Sequence, residues 1–223
     1  MEHEPHLLKL RSVGRVLLVV GLLDIAFMIY CIVNGISYSS SLNIFAVVAG
    51  IFLIRGSLRA AVVVRWIALL LLVSFIGIAV VWPFLQPIDL TLTQARLYPA
   101  AVATTTLFYV AFVALAWWVQ HTLGRPEILA ARDAAGKKRR NMRIPVALGI
   151  VGVVASVALL SAILDGETAD RAKRIAAEQL GEGYRYHVSS LSMSSNSQTT
   201  RVAARVTAWN DEEVLNVPVE WQE

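Results

Sequence analysis

IPVALGIVGVVASVALLSAIL, residues 144–164, is the stretch of sequence that decides the fold. It contains no charged side chain over 21 residues, and a helix needs about 20 apolar residues to cross the hydrocarbon core of a bilayer. The composition changes directly after it, because residues 165–223 hold six Lys and Arg and ten Asp and Glu. The sequence therefore predicts a membrane helix that leads into a polar domain.

The rest of the chain has the composition of a membrane protein. Of its 223 residues, 57% are hydrophobic and 16% are charged, whereas soluble domains average about 45–50% and about 25%. Five crossings are predicted, at residues 13–33, 38–54, 60–82, 99–119 and 144–164. The second is the weakest, because its core of residues 41–54 also fits a re-entrant segment. We expect a four-helix transmembrane bundle over residues 1–123, a basic loop over 124–143 and then the fifth helix.

The placement of Lys and Arg predicts the orientation. Thirteen of the fourteen before residue 165 fall on one side of five alternating crossings, and Arg96 is the exception. Because such residues concentrate in cytoplasmic loops, we expect a cytoplasmic N-terminus and an external C-terminal domain. Short loops of this kind are typical of a bacterial inner membrane, with a eukaryotic membrane as the alternative. The first crossing is longer than a signal-peptide core and indicates an uncleaved anchor, although a cleaved signal would leave the other crossings unchanged.

The last 59 residues differ from the rest in charge and in pattern. Their net charge is −4, against +8 for residues 1–164, so the basic charge belongs to the loops and not to a nucleic-acid-binding surface. Helical spacing and the Gly181 stop signal predict one helix. Alternating apolar residues then predict three strands, with a hairpin connection over residues 192–200 and an edge position for the last strand, because Pro218 has no N–H to donate. The prediction is a small α+β domain with a three-stranded antiparallel sheet.

A domain of this size buries too little surface to be comfortably stable alone. The only cysteine, Cys31, leaves no disulfide to stabilise it. We therefore expect another surface to complete the domain. The candidates are the lipid headgroup layer, the connection over residues 83–98, a second copy of the chain, or another membrane or envelope protein.

Asp24 is the sharpest candidate for a functional residue. It falls near the middle of the first crossing, where a carboxylate is costly and often functional. One interpretation is a proton or cation relay, or a salt link to a partner subunit. The other is structural, with a protonated or hydrogen-bonded carboxyl satisfied by Ser74 or by a hydroxyl of residues 104–106. Thr105 is thus a candidate for the same intramembrane polar site, and the alternative is that these hydroxyls bond back to their own helix. Arg65, one turn inside the third crossing, is predicted to extend toward the cytoplasmic interface.

Two further groups of residues are candidates for packing and for lipid contact. In the fifth helix Gly149 precedes a small-xxx-small pair, Gly152 and Ser156, which allows close helix approach within the bundle or against another subunit. A basic cluster precedes that helix and is predicted either to attract anionic lipid or only to determine topology. The cluster comprises Lys137, Lys138, Arg139, Arg140 and Arg143.

Motifs for catalysis or cofactor binding are missing from the sequence. It has no Walker A, no G-x-G-x-x-G, no H-E-x-x-H and no C-x-x-C. We therefore predict no catalytic residue, no metal and no cofactor. The expected function is that of a non-enzymatic accessory protein, which binds the bilayer and assembles another membrane or envelope protein, or a second copy, through its C-terminal domain and fifth helix. The alternative is a small transporter or ion-coupled channel that uses Asp24.

Overall fold

The computed structural model describes residues 5–36, 38, 43–136, 140–164, 166–195 and 200–222. Helices occupy most of these residues, and the strands lie together at the C-terminal end. The helices are α1 (Pro5–Val33), α2 (Asn43–Ile54), α3 (Leu58–Leu85), α4 (Ile88–Leu97), α5 (Pro99–Leu123), α6 (Pro126–Ala134), α7 (Arg143–Leu164) and α8 (Glu167–Leu180). The strands are β1 (Arg185–Ser195), β2 (Thr200–Trp209) and β3 (Val214–Gln222).

Four of the described helices are long and apolar enough to cross a membrane, namely α1, α3, α5 and α7. The shortest, α7, has 22 residues and therefore a length of about 33 Å, which matches a hydrocarbon core of about 30 Å. Large apolar side chains on these helices are exposed, such as Phe108 at 72%, as lipid-facing positions require. The chain thus has the architecture of a multi-pass membrane protein.

The predicted second crossing is not confirmed as a full helical span. Helix α2 has only 12 residues and a length of about 18 Å, too short for the hydrocarbon core. It packs antiparallel against α1, because a Cβ added to Gly14 would stand 2.7 Å from the carbonyl oxygen of Gly50. A Cβ added to Gly50 would likewise stand 2.8 Å from the backbone nitrogen of Leu18. The two backbones therefore meet without a side chain between them, as small residues permit.

The chain divides into two compact units. Unit 1 comprises residues 1–73 and 112–149, and unit 2 comprises residues 74–111 and 150–223. Helices α3, α5 and α7 each contribute residues to both units. This division by packing is distinct from the predicted domain boundaries, which remain predictions.

Unit 1 has its core where α1, α2 and α3 meet the end of α5 and helix α6. Leu10, Leu53, Leu123 and Ile128 are at most 1% exposed in it. Ile128 belongs to α6, which forms within the segment predicted as a basic loop. Burial of Ile128 explains why this otherwise polar segment is helical: α6 has an apolar residue to place in the core.

Unit 2 contains the predicted α+β domain, and its helix and three-stranded antiparallel sheet are confirmed. The strand order is β1-β2-β3, which puts β3 at an edge as Pro218 requires. Helix α8 begins after Gly166 and ends at Gly181, which has a φ of 85° that suits glycine. Alanines of α8 pack against Val188, Val206 and Val219 in the core of the domain.

Strand β1 is longer than predicted because of a β-bulge. Val188 pairs with Val206 and Ser190 with Arg205, so Ser189 is an extra residue in β1. The extra residue exchanges the two faces of the sheet for all later side chains of β1. Leu191, and not Ser190, therefore lies against the core cluster of the domain. The strand then continues to Ser195, in place of the hairpin connection expected from residue 192 onward.

Candidate functional site

Asp24 lies in α1 and has a hydrogen-bond donor in the chain segment that follows this helix. The hydroxyl of Tyr38 donates to the Asp24 carboxylate, and the Tyr38 ring packs edge-on against Phe27 with centroids 5.8 Å apart. The end of α1 at Val33 is about 13 Å further along the helix axis from Asp24. The Tyr38 side chain therefore reaches back along α1 to the level of Asp24.

Thr105, the partner expected for Asp24, lies in unit 2 and bonds within its own helix. Its hydroxyl donates to the carbonyl oxygen of Ala101 at 3.0 Å, and that of Thr104 donates to Ala100 at 2.7 Å. Such bonds satisfy a hydroxyl in an apolar environment without a partner from another helix. The donor that the structure gives to Asp24 is a tyrosine that sequence spacing did not indicate.

Arg65 points at the end of another helix. A Cβ added to Gly124, just after α5, would stand 3.0 Å from Arg65 Nη2. The last carbonyl groups of a helix carry partial negative charge, so this position is favourable for a guanidinium. The Arg65 guanidinium therefore lies at the C-terminal end of α5.

The small residues of α7 have different surroundings. A Cβ added to Gly149 would stand 2.9 Å from Val73 Cγ1, so Gly149 allows α7 to pack closely on α3. A Cβ added to Gly152 would meet nothing within 4 Å. Ser156 is exposed and donates to the carbonyl oxygen of Gly152 at 2.8 Å. Within the described chain, Gly149 is a packing residue and the Gly152–Ser156 pair is open.

The basic cluster is described only in part. Lys137, Lys138 and Arg139 lie outside the described residues. Arg140 and Arg143 are exposed, and the backbone N–H of Arg143 donates to the Asn141 side chain at 2.9 Å. Asn141 thus caps the start of α7. Lipid contact by the cluster remains a prediction.

The α+β domain is joined to the segment between α3 and α5 on one face of its sheet. Arg185 and His187 of β1 pair with Trp209 and Thr207 of β2, so these four side chains share a face. This face is opposite the one that packs on α8. Arg185 forms an ion pair with Asp89 of α4, and its guanidinium holds the pKa of the Asp89 carboxyl below the usual value. The shared face is buried at this end, because Thr207 and Trp209 are only 6% and 4% exposed.

A cavity of about 250 Å³ lies beside this contact. His187 lines it from the domain, and the last residues of α3 and α7 line the other walls. Its lining mixes apolar side chains with the polar Gln86 and Ser161, and the Gln86 amide donates to Gln94 at 3.2 Å. We call the Asp89–Arg185 ion pair, this cavity and the buried face beside them the domain junction.

Sequence reasoning named the connection over residues 83–98 as one surface that could complete the domain, but it missed the individual contacts, such as that of Asp89 with Arg185. The available signal was the opposite charge of Asp89 and Arg185, which the predicted topology places on the same side of the membrane. The chemistry of the junction is that of a packing contact, since it contains one exposed ion pair and one imidazole. In the part of the chain that the structure describes, no group of three or more His, Cys, Asp or Glu is placed to hold a metal ion.

Comparison of the chain with protein families, with curated proteins and with solved structures finds no match. Function must therefore be argued from the geometry alone.

Proposed function

We propose that this chain is a non-enzymatic accessory protein of a bacterial inner membrane, which binds or assembles another membrane or envelope protein through its C-terminal domain and α7. The observation that carries the proposal is the open half of the sheet. On the face opposite α8, Thr207 and Trp209 are buried, whereas Arg201 and Arg205 at the other end of β2 are exposed. Two exposed arginines on a domain of net charge −4 suit an acidic partner surface, because complementary charge steers association and fixes register.

The open side of α7 supports a second contact within the membrane. No described side chain fills the space beside Gly152, while neighbouring Val151 and Val154 are 63% and 62% exposed. Helices associate in lipid by close packing at small residues. A partner helix on this side would reach the backbone of α7, directly before the domain that binds the same partner.

The proposed topology has a cytoplasmic N-terminus and an external C-terminal domain. It is supported by the return of the chain after α1, since a Cβ added to Gly56 would stand 3.0 Å from Leu7 Cδ2. The end of α2 thus lies beside the start of α1. Lys9 and Arg55 then fall on one side, as the positive-inside rule requires, and α3, α5 and α7 cross in turn.

The test is a pair of charge reversals in the tagged, full-length protein. Arg205→Glu changes the open half of the sheet, and Arg174→Glu makes the same change at an exposed position of α8. Each variant is purified from native membranes in mild detergent, and co-purifying proteins are identified by mass spectrometry. We expect the wild type and Arg174→Glu to recover the same partner and Arg205→Glu to lose it. A wild-type protein that is monomeric and recovers no partner refutes the proposal, and recovery of a second copy alone restricts it to self-assembly.

The alternative function, transport that uses Asp24, has less support. The Asp24 carboxylate accepts a hydrogen bond from Tyr38, which is sufficient reason for an acid in α1 without any ion path. If Asp24 is a relay, Asp24→Asn abolishes a proton or cation flux in proteoliposomes while the amount of folded protein is unchanged. A flux equal to that of the wild type excludes the relay.

A further inference from the structure

Helix α4 is short and is held closely between two helices that are long enough to span a membrane. Only Gln86 and Pro87 separate it from the end of α3, and only Tyr98 separates it from the start of α5. An extended residue spans at most about 3.6 Å, so each end of α4 lies within roughly 10 Å of the end of a membrane helix. Its own length is about 15 Å. The connection is therefore too short to carry α4 away from the membrane surface.

The two sides of α4 differ in exposure. Ile88 and Leu92 are 61% and 65% exposed, whereas Leu90 is 2% exposed. At 100° per residue, Ile88, Leu92 and Arg96 form one stripe and Leu90 lies on the opposite side. On the side of Leu90, Gln94 accepts a hydrogen bond from Gln86. Asp89, which pairs with Arg185, lies at the edge of the stripe, about 20° from Arg96. The described chain therefore leaves the side chains of Ile88 and Leu92 largely uncovered.

Large aromatic side chains flank this stripe. Trp82 and Phe84, near the end of α3, are 49% and 83% exposed, and Tyr98 before α5 is 51% exposed. Exposed Trp and Tyr at the ends of spanning helices are typical of the headgroup level. The residues directly before and after α4 are therefore of the type expected at the headgroup level.

We propose that α4 lies in the plane of the membrane surface, with Ile88 and Leu92 at the boundary between headgroups and acyl chains and Arg96 at the lipid phosphates. A helix with one apolar stripe and a basic residue is suited to that position. The same helix contacts the α+β domain through Asp89, at the edge of the stripe. Lipid contact also accounts for Arg96, the one basic residue that the predicted topology leaves on the external side before residue 165, since its guanidinium pairs with phosphate there. This lipid contact is independent of any protein partner of the domain.

The test uses single cysteines in the full-length protein with Cys31 replaced by alanine. Leu92→Cys carries an environment-sensitive fluorophore, and Glu212→Cys, in the exposed turn between β2 and β3, carries the same label as a matched control. Both proteins are reconstituted in vesicles of phosphatidylethanolamine and phosphatidylglycerol, with and without shallow nitroxide-labelled lipid. We expect nitroxide lipid to quench the Leu92 label several-fold more than the Glu212 label, and aqueous iodide to do the reverse.

Each other outcome overturns the proposal. Equal iodide quenching at both positions places α4 in water. Protection of the Leu92 label from both quenchers shows that a protein, either a partner or a second copy, covers the stripe. Because a label at position 92 could disturb folding, Ile88→Cys provides an independent measurement, and labelled proteins are compared with wild type in size and thermal stability before quenching.

Discussion

The hydrogen bond from Tyr38 to Asp24 provides the most direct test of why a carboxylate lies within α1. Tyr38→Phe removes the donor and keeps the ring that packs on Phe27. A hydrogen bond to a charged group contributes about 1.5–3 kcal/mol in soluble proteins, and hydrogen bonds between membrane helices contribute about 0.6 kcal/mol on average, with a maximum near 1.7. We therefore expect Tyr38→Phe to lower the free energy of unfolding by about 1–2 kcal/mol.

The assay is a double-mutant cycle by thermal unfolding in bicelles. Asp24→Leu removes the acceptor, and the double variant Tyr38→Phe/Asp24→Leu removes both partners. Since about 1 kcal/mol shifts Tm by about 2–4 °C for a chain of this size, Tyr38→Phe alone should lower Tm by about 2–8 °C. The double variant should be more stable than the sum of the single effects predicts, because each single variant loses the Tyr38–Asp24 hydrogen bond and the double variant loses it only once.

A coupling energy of zero refutes this reasoning. In that case Tyr38 and Asp24 contribute independently, and the hydrogen bond is not what holds the returning chain against α1. Asp24→Asn serves as the control, because it removes the charge but keeps a carbonyl acceptor for the Tyr38 hydroxyl. We expect Asp24→Asn to be less destabilising than Tyr38→Phe, and the opposite order would show that the charge itself is required.

Two further predictions concern the close approach at Gly50 and the ion pair of Asp89. Gly50→Ala should destabilise the protein by about 1–3 kcal/mol through overpacking, because the added Cβ must move about 0.7 Å to reach ordinary contact with α1. The control is Gly152→Ala, whose added Cβ meets nothing within 4 Å and should leave Tm unchanged. Equal effects of the two substitutions in thermal unfolding would contradict the packing described. Arg185 lowers the pKa of Asp89 in the folded state. The Asp89–Arg185 interaction therefore contributes to the free energy of unfolding at a pH above the ordinary Asp pKa of about 3.9, and this contribution is lost as the pH falls through the lower pKa that Asp89 has in the folded state. Thermal unfolding as a function of pH should show this loss in the wild type and not in Asp89→Asn, and identical pH profiles would contradict it.

Local pattern predicted most of the fold, because each long element carries its own signal. Twenty apolar residues in a row specify a membrane helix, and alternation followed by Asn210 and Asp211 specifies the second hairpin. The bulge at Ser189 was not predictable in this way, because in a serine-rich edge strand either set of alternating residues could face the core. Only the pairing of Ser190 with Arg205 shows which residues face the core.

The candidate site was less predictable than the fold, because its contacts join residues far apart in sequence. Asp24 was identified from the cost of a charge in a membrane helix, but its donor, Tyr38, depends on the path of the returning chain. Helix α4 is too short for its apolar and polar residues to show a clear helical pattern in the sequence. Only the burial of Leu90, opposite the exposed Leu92, shows which side of this helix is covered. Arg65 illustrates the same point, since its place beside Gly124 depends on where α5 ends.

The domain junction bears on the expectation that another surface completes the domain of 59 residues, because it involves one of the candidate surfaces, the connection over residues 83–98. One face of its sheet packs on α8, and the other is buried at Thr207 and Trp209, where Asp89 and the end of α3 approach. The chain itself therefore completes part of the domain, through the connection between α3 and α5. What remains open is the other end of that face, around Arg205, and its exposed residues are polar except for Pro218. Polar surface of this kind does not require a permanent partner, so we expect binding there to be reversible and sensitive to salt, rather than necessary for the domain to fold.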